Sequence, residues 1–293
     1  MKNLSAQNKA DIALIVVAIV WGATFLPMAK ALETNSVFVM LFCRFFISAI
    51  FMGLIAFKFS KIFDKKSVVY GTILGVVLFG SFVAQTYALK LTFSSSVAFI
   101  TGLECVIVPF MTALIFKNKI TIFAIFGALI AIFGLWLLSG ATLALGAGEA
   151  LALLCAIFYA LYTSLNGHFV RKCELYLLVF VVFLTVSLLS FVFAFIEGSV
   201  VPNYDREFFI AIFITAFIGT IFCYFVQTIA QRYTTASKAA LFFCLEPVSA
   251  GFIGYFFAGE KLTLIQIFGA ILIIFGVIFS EFGKKFFSRS KLA

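Results

Sequence analysis

Charged residues are scarce in this sequence. Asp, Glu, Lys and Arg make up 11% of the 293 residues, whereas 64% are hydrophobic and the mean hydropathy is +1.20. A soluble domain carries about 25% charged and roughly 45–50% apolar residues. The shortage of charge therefore excludes a soluble globular protein and predicts an integral membrane protein.

Metal-ligating and nucleophilic motifs are missing as well. His168 is the only histidine, no HExxH motif is present, and the six cysteines form no CxxC pair. A histidine zinc site or a Ser/His triad of the usual spacing lacks its members, so we interpret His168 as a polar residue near a span end and the cysteines as small buried hydrophobes. We expect no metal, no cofactor, no catalytic residues and no enzyme activity.

Apolar residues, in contrast, are abundant and fall into separated blocks of 20 to 24 residues. Each block is long enough to cross about 30 Å of hydrocarbon as a helix. The first block begins at Asp11 without a small-residue cleavage site, so we expect it to be a retained span and not a signal peptide. The ten predicted spans are 12–32, 37–57, 68–90, 94–116, 120–139, 148–170, 175–196, 208–231, 236–258 and 262–282.

The distribution of lysine and arginine predicts the orientation. With the N-terminus in the cytoplasm, 16 of the 21 Lys and Arg residues fall on the cytoplasmic side, four on the other side, and Arg44 lies within the second span. Cytoplasmic loops carry such an excess. We therefore expect both termini in the cytoplasm, and the net charge of +9 does not indicate a nucleic-acid partner.

The chain repeats itself at an offset of 142 residues. At this offset residues 85–134 and 227–276 share 19 identities, among them "LECV" (103–106) against "LEPV" (245–248). Such a period indicates a repeat architecture. We predict a first five-helix repeat at 11–140, a second at 147–283 and a basic cytoplasmic tail at 284–293.

An odd number of spans in each repeat has a consequence for their orientation. Span one and span six must run in opposite directions, so the two repeats are related by an axis in the membrane plane. The predicted fold is therefore all-α, with ten transmembrane helices as two inverted five-helix repeats. This symmetry is typical of carriers that work by alternating access, although a passive channel can share it, and a polytopic membrane enzyme is a further alternative.

Three ionisable residues lie deep in the predicted spans. Glu104 and Glu246 are repeat partners, each the eleventh residue of its span, and Arg44 is the eighth residue of span two. A charge near the midplane costs several kcal/mol unless it is paired, hydrated or neutralised by a proton, and such groups mark substrate and ion sites in transporters. Two interpretations remain open for the glutamates, a functional one and one of simple hydrogen bonding between helices. Arg44 is expected to pair with a glutamate or to face a cavity.

Gln85 and Gln227 are a second pair of repeat partners inside the spans. Because of the inversion they lie toward opposite membrane faces, which suits either a gate or substrate contact or interhelical hydrogen bonding. Pro247 directly follows Glu246 and frees the carbonyl of Phe243, whereas Glu104 has no such proline. We therefore predict a break in the helix beside Glu246 alone, and a larger role for Glu246 than for Glu104.

The chain resembles the drug/metabolite transporter superfamily, and within it the EamA-type proteins. The matching stretches are "WGATF" (21–25) with Lys30, "FCRFF" (42–46), and residues 234–279. The resemblance implies ten helices in two repeats, export of small metabolites such as amino acids from the bacterial cytoplasm, and a cavity between the repeats. It adds Trp21 to the candidate site residues. A small-molecule substrate and the lipid bilayer are the implied partners.

Overall fold

The structure is a computed structural model that describes residues 5–60, 64–117, 120–138 and 146–289. Throughout these ranges the chain is helical, apart from short connections. Most of the predicted junction between the two repeats, at 139–145, and the end of the basic tail, at 290–293, lie outside the described residues. Residues 284–289 continue the last helix.

Thirteen α-helices and one π-helical segment are present in the described ranges. They are α1 (Ala6–Ala31), α2 (Val37–Phe59), α3 (Lys65–Leu91), α4 (Ser94–Thr101), α5 (Glu104–Phe116), α6 (Ile122–Leu138), α7 (Ala147–Phe169), α8 (Leu175–Glu197), α9 (Arg206–Ile212), the π-helical segment (Phe213–Phe222), α10 (Cys223–Ala230), α11 (Ala236–Phe243), α12 (Leu245–Ala258) and α13 (Leu264–Arg289).

Side-chain caps explain where many of these helices begin. Ser36, Asp64, Glu174, Asp205 and Thr235 each precede a helix and accept hydrogen bonds from backbone N–H groups of its first turn. These groups have no partner within the helix, and polar residues in this position satisfy them. The short polar connections of the sequence thus become helix starts.

Eight helical stretches are long and apolar enough to cross a membrane. Three of them combine consecutive elements, namely Ser94–Phe116, Arg206–Ala230 and Ala236–Ala258. The predicted spans five and ten correspond to α6 and α13, whose apolar stretches Ile125–Gly134 and Leu264–Gly276 are shorter. The chain is therefore an all-helical membrane protein, and the count of ten spans stays a prediction.

Hydrogen bonds between helix ends define two faces of the bundle. On what we call the first face, Asp11 at the start of α1 contacts Lys238 at the start of α11, and Arg171 after α7 contacts Thr234. On the second face, Glu260 after α12 contacts Ser94 at the start of α4. Helix α1 therefore runs from the first face to the second, and α7 runs from the second to the first.

Close packing of α6 against α13 depends on glycine. A Cβ on Gly134 would lie 2.7 Å from the carbonyl oxygen of Gly269, and one on Gly276 would lie 2.6 Å from that of Gly127. These distances leave no room for a side chain, so the backbones touch, as in other membrane helix pairs. The four glycines are two pairs at the offset of 142 residues, and the contact is reciprocal.

Candidate functional site: a closed central cavity

A small central cavity lies between helices of both halves of the chain. The centres of water-sized spheres can occupy about 30 Å³ of this cavity. That is room for about two water molecules. Five of the six candidate residues line it, and Gln227 does not. The lining residues are Trp21, Thr24, Phe25, Arg44, Ser81, Phe82, Gln85, Thr101, Gly102, Glu104, Cys155, Tyr159, Tyr224, Phe243 and Glu246.

Two helix breaks place the glutamates at this cavity. Helix α4 ends at Thr101 and α5 begins at Glu104, with Gly102 and Leu103 in a tight turn between them. Helix α11 ends at Phe243 and α12 begins at Leu245, with the break at Cys244. Gly102 and Cys244 differ by the repeat offset. Each glutamate thus lies in the first turn of a new helix, where the N–H groups favour an acidic side chain.

The prediction of a break beside Glu246 alone is wrong. The first half contains no proline directly after its glutamate, yet Leu103 bonds to Ile100 and Val106 bonds to Leu103 through backbone hydrogen bonds one residue shorter than those of an α-helix. Bonds of this kind tighten a helix locally without proline. Gly102 also packs against the ring of Pro247, where an added Cβ would lie 3.1 Å from Cγ. The proline of one repeat therefore shapes the break in the other.

Neither glutamate carboxyl has a hydrogen-bond or ion-pair partner within the described ranges. Glu104 is 3% exposed, and its Oε2 atom is both buried and without a partner. Buried polar atoms are nearly always hydrogen-bonded, so an orphaned carboxyl oxygen at a cavity needs an explanation. The contacts of the described residues give no support to hydrogen bonding between helices as the role of Glu104 and Glu246.

Arg44 faces the same cavity without a carboxylate partner in the described part of the chain. Its Nε donates to Thr220 Oγ1 at 2.7 Å, and its guanidinium carbon lies 4.5 Å from the centre of the Phe82 ring. The residue is 4% exposed. A guanidinium over an aromatic face gains electrostatic energy that grows where water is excluded. We expected Arg44 either to pair with a glutamate or to face a cavity. It does not pair with Glu104 or Glu246, and it faces the cavity.

The π-helical segment holds Arg44 and Trp21 in position. Trp21 Nε1 donates to the carbonyl oxygen of Gly219 at 2.8 Å, and Thr220 Oγ1 donates to the carbonyl of Thr215, five residues earlier. Carbonyl groups of this segment accept hydrogen bonds from side chains, and π-bulges occur often at functional sites. The sequence pattern of residues 208–231 predicts a regular span and gives no sign of this segment.

Aromatic rings form most of the remaining wall. Trp21 lies 5.1 Å from Tyr224, 5.2 Å from Phe243 and 5.9 Å from Tyr159, measured between ring centres. Such pairs each contribute about 0.5–1.5 kcal/mol beyond burial. Tyr159 and Tyr224 are site residues that sequence reasoning missed. Their hydroxyl groups within predicted spans are a usable signal, but it is weak in a chain that contains 42 phenylalanines.

The two glutamines occupy different positions. Gln85 lines the cavity, and its side chain makes no hydrogen bond to another described residue. Gln227 is fully buried behind the wall, where its Oε1 lies 3.4 Å from the Tyr159 hydroxyl and its Nε2 has no partner in the described ranges. The cavity thus collects one cation, two carboxyls, an amide and several aromatic rings, a set that can bind a small polar molecule.

Helix α1 meets this site through Gly22. A Cβ on Gly22 would lie 2.5 Å from the carbonyl oxygen of Glu246 and 2.7 Å from the amide nitrogen of Ala250. The backbones of α1 and α12 therefore touch next to Glu246. This contact fixes the distance between Trp21 on one helix and Glu246 on the other.

Comparison with known proteins yields relatives over nearly the whole chain. An uncharacterized transporter of Archaeoglobus fulgidus is 31% identical over 269 residues, which is 92% of this chain and 84% of that protein. A second uncharacterized transporter of the same organism matches over 48 residues at 40% identity, 16% of this chain and 18% of that protein. A solved structure titled only as a crystal structure of a protein has the same fold, with a TM-score of 0.71, 16% identity and coverage of 94% and 96% of the two chains.

A family model gives the most direct assignment. The model of the EamA-like transporter family matches twice, at residues 8–140 and 146–282. Together the two matches cover nearly all of the sequence, and the whole-length relative is also named a transporter. The chain belongs to the EamA-like transporter family and is a membrane transporter.

Proposed function

We propose that this protein is a secondary transporter that moves small polar organic solutes, amino acids or related compounds, out of the cytoplasm by alternating access. The observation that carries the proposal is the central cavity, in which Arg44, Glu104 and Glu246 lie without ionic partners among the described residues. Unpaired ionisable groups in the middle of a membrane are costly and are kept where they serve a transported solute or ion.

The directions of the helices support an inverted repeat. Helix α1 runs from the first face to the second, and α7, the first helix of the second family match, runs the opposite way. The contact between α6 and α13 is reciprocal at the repeat offset. Two halves related in this way can exchange conformations and so expose a central site to each side in turn.

The size of the cavity favours a carrier over a passive channel. A channel in its conducting state has a continuous pore, whereas this cavity holds about two waters and is walled by packed aromatic rings. A solute the size of an amino acid cannot occupy it unless helices separate. We infer that the structure corresponds to a state close to occlusion.

The distribution of charge supports an orientation. The first face, which bears Arg171, Arg232 and Lys238, is the one with the excess of Lys and Arg in the sequence. We propose that it faces the cytoplasm of a bacterium, with the protein in the cytoplasmic membrane and both termini inside. Its partners are the lipid bilayer and a small-molecule substrate.

The chemistry of the cavity supports a zwitterionic substrate. Arg44 offers donors that suit a carboxylate, and Glu104 and Glu246 offer acceptors that suit an ammonium group. The rings of Trp21, Phe82 and Tyr224 provide apolar surface between them. A solute with both charges and an apolar body can satisfy all of these groups at once.

The proposal is tested by comparing metabolite release. Cells with and without the protein are loaded with amino acids by feeding dipeptides, and the medium is analysed by mass spectrometry. We expect faster release of at least one amino acid in cells with the protein, and loss of this excess in an Arg44→Met variant present at normal membrane level. Equal release from both strains would contradict the assigned substrate class and direction.

A further inference from the structure

Repeat-equivalent positions at the two ends of the bundle have different surroundings. At the first face, α10 is followed by Gln231, Arg232 and Thr234. The positions one repeat offset earlier are Leu89, Lys90 and Thr92, which lie at the end of α3 at the second face. If the two halves had the same conformation, these positions would have matching contacts. The contacts differ at the first two of these positions.

Hydrogen bonds close the first face at these positions. Gln231 Oε1 accepts from Asn166 Nδ2 at 2.5 Å, and Gln231 Nε2 donates to the carbonyl of Thr163 at 3.2 Å. Both Asn166 and Gln231 are buried, at 1% and 0% exposure. The side-chain amides thereby tie the end of α10 to α7 at the first face.

Two arginines extend this closure. Arg171 Nη2 donates to the carbonyl of Thr234 at 3.0 Å, and Arg232 donates from Nε to the carbonyl of Val170 and from Nη2 to that of Cys173. Hydrogen bonds with a charged donor are stronger than those between neutral groups. The end of α7 and the segment between α10 and α11 are thus held by five side-chain hydrogen bonds in total.

The second face lacks such ties at two of the equivalent positions, because the side chains of Leu89 and Lys90 make no hydrogen bond to another described residue, whereas Thr92 donates to Glu149 of α7 at 3.1 Å. Leu89, Lys90 and Thr92 line a vestibule of about 590 Å³ between the ends of α1, α3 and α12 and the start of α4. That volume lies within the range of small-molecule sites, roughly 300–1,000 Å³. Leu26 of α1 lines the vestibule, and the adjacent Phe25 lines the central cavity. Helix α1 therefore contributes to the walls of both the vestibule and the cavity.

We infer that Asn166, Gln231 and Arg171 form the inner gate of the transport route, that the vestibule is its outer mouth, and that the nearly occluded structure is closed more firmly on the inner side than on the outer side. The inference rests on the proposed function, because a gate has meaning only if the solute passes through the central cavity. The inner gate is a set of positioning residues: it holds α7 against α10 and does not touch the solute in the cavity.

The repeat itself provides a substitution that weakens this gate. Leucine occupies the equivalent position at the outer mouth, so Gln231→Leu introduces the residue that the other half already has. It removes the bonds to Asn166 and Thr163 and leaves the Asn166 amide without a partner. Helix α7 and helix α10 then separate more easily, and the inward-facing state becomes more populated.

A single cysteine in the cavity reports the population of each state. All six native cysteines are replaced, Thr101→Cys is introduced at the cavity wall, and a small membrane-impermeant methanethiosulfonate is added to right-side-out or inside-out vesicles. We expect labelling mainly from the second face. Gln231→Leu should raise the rate from the first face about fivefold, which corresponds to roughly 1 kcal/mol, and should leave the rate from the second face nearly unchanged because the inward-facing state stays the minor one.

Matched variants separate the possible failures. Ser164→Ala removes a buried hydroxyl of α7 that bonds only within its own helix, to Ala160, and should leave both rates unchanged. Arg171→Ala removes an exposed side chain and should shift labelling in the same direction as Gln231→Leu. If Gln231→Leu does not reach the membrane, Arg171→Ala alone tests whether the inner gate exists. Unchanged rates in both gate variants would overturn the inner gate. Absence of labelling from either face in every variant would instead contradict the central pathway of the proposed function.

Discussion

Trp21 donates its indole N–H to the carbonyl oxygen of Gly219 at 2.8 Å, and this bond joins α1 to the π-helical segment. The segment also carries Thr220, which accepts from Arg44. The two hydrogen bonds therefore link the position of Trp21, the largest aromatic ring in the cavity, to that of Arg44, the only cation among the described lining residues.

Trp21→Phe tests the importance of this bond. The ring contacts with Tyr224 and Phe243 are largely kept, but the Gly219 carbonyl loses its donor. We expect a loss of about 0.5–1.5 kcal/mol in the free energy of unfolding, measured by thermal unfolding in detergent, together with slower transport. Trp21→Ala, which also removes the ring, should cost more, about 3–5 kcal/mol. Equal stability of Trp21→Phe and the unchanged protein would contradict a structural role for the bond.

Gly22→Ala tests the contact between α1 and α12. The new Cβ would lie 2.5 Å from the Glu246 carbonyl oxygen, so the two backbones must separate next to the cavity. We expect a loss of about 1–3 kcal/mol in the free energy of unfolding. Gly167→Ala is the matched control, since the nearest atom to its new Cβ would be 3.5 Å away, an ordinary contact. The account fails at this point if the two variants unfold at the same temperature.

Asp64 predicts a pH dependence of stability at the first face. Hydrogen bonds from the Ser67 hydroxyl, and further bonds from the backbone N–H groups of Lys66, Glu174 and Ser67, hold the pKa of Asp64 below its ordinary value. A lowered folded-state pKa stabilises the protein above the ordinary pKa of about 4, and this contribution is lost as the pH falls through the folded-state pKa.

The measurement compares Asp64→Asn with the unchanged protein across pH. The difference in unfolding temperature should be largest near pH 7 and should shrink as the pH falls below about 4. Glu33→Gln, at an exposed carboxylate of the second face, controls for the loss of one negative charge. A difference for Asp64→Asn that stays constant from pH 7 to pH 3 would show that the hydrogen bonds do not depend on its charge.

Reporter fusions test the proposed orientation. Lys172 follows α7 at the first face and Gly198 follows α8 at the second. A phosphatase fused after Gly198 should be active, because it lies outside the cytoplasm, and a fluorescent protein fused after Lys172 should be bright. The reverse pattern at both positions would place the first face outside the cytoplasm and would reverse the proposed orientation of the protein.

The sequence was sufficient to predict the chemistry of the cavity but not its geometry. Arg44, Glu104 and Glu246 stand out because charge is rare in membrane spans, and all three line the cavity. The π-helical segment did not stand out, because it depends on donors from Trp21 and Ser48, which are far away along the chain. No local pattern in residues 213–222 indicates those tertiary contacts.

The break beside Glu104 was hidden for a similar reason. Pro247 explains a break in its own helix. The turn at Gly102 and Leu103 has no such local signal, and only the structure shows that Gly102 packs against Pro247. Both glutamates therefore begin a helix at the cavity, and the break that Pro247 led us to expect beside Glu246 alone is present beside both. We now expect Glu104→Gln and Glu246→Gln to affect transport to a similar extent.

The central claim, that the cavity glutamates take part in moving a solute, is tested most directly by counterflow. Proteoliposomes preloaded with a mixture of unlabelled amino acids are placed in a trace of the same mixture carrying stable isotopes, and uptake is followed by mass spectrometry. The unchanged protein should take up at least one labelled amino acid faster when preloaded. Glu246→Gln should slow this exchange by about tenfold or more, as expected for a lost charged contact of about 1.5–3 kcal/mol, whereas Ser190→Ala, which removes a buried hydroxyl bonded within α8, should not change it. Exchange by Glu246→Gln at the rate of the unchanged protein, or no acceleration by preloading, would contradict the account.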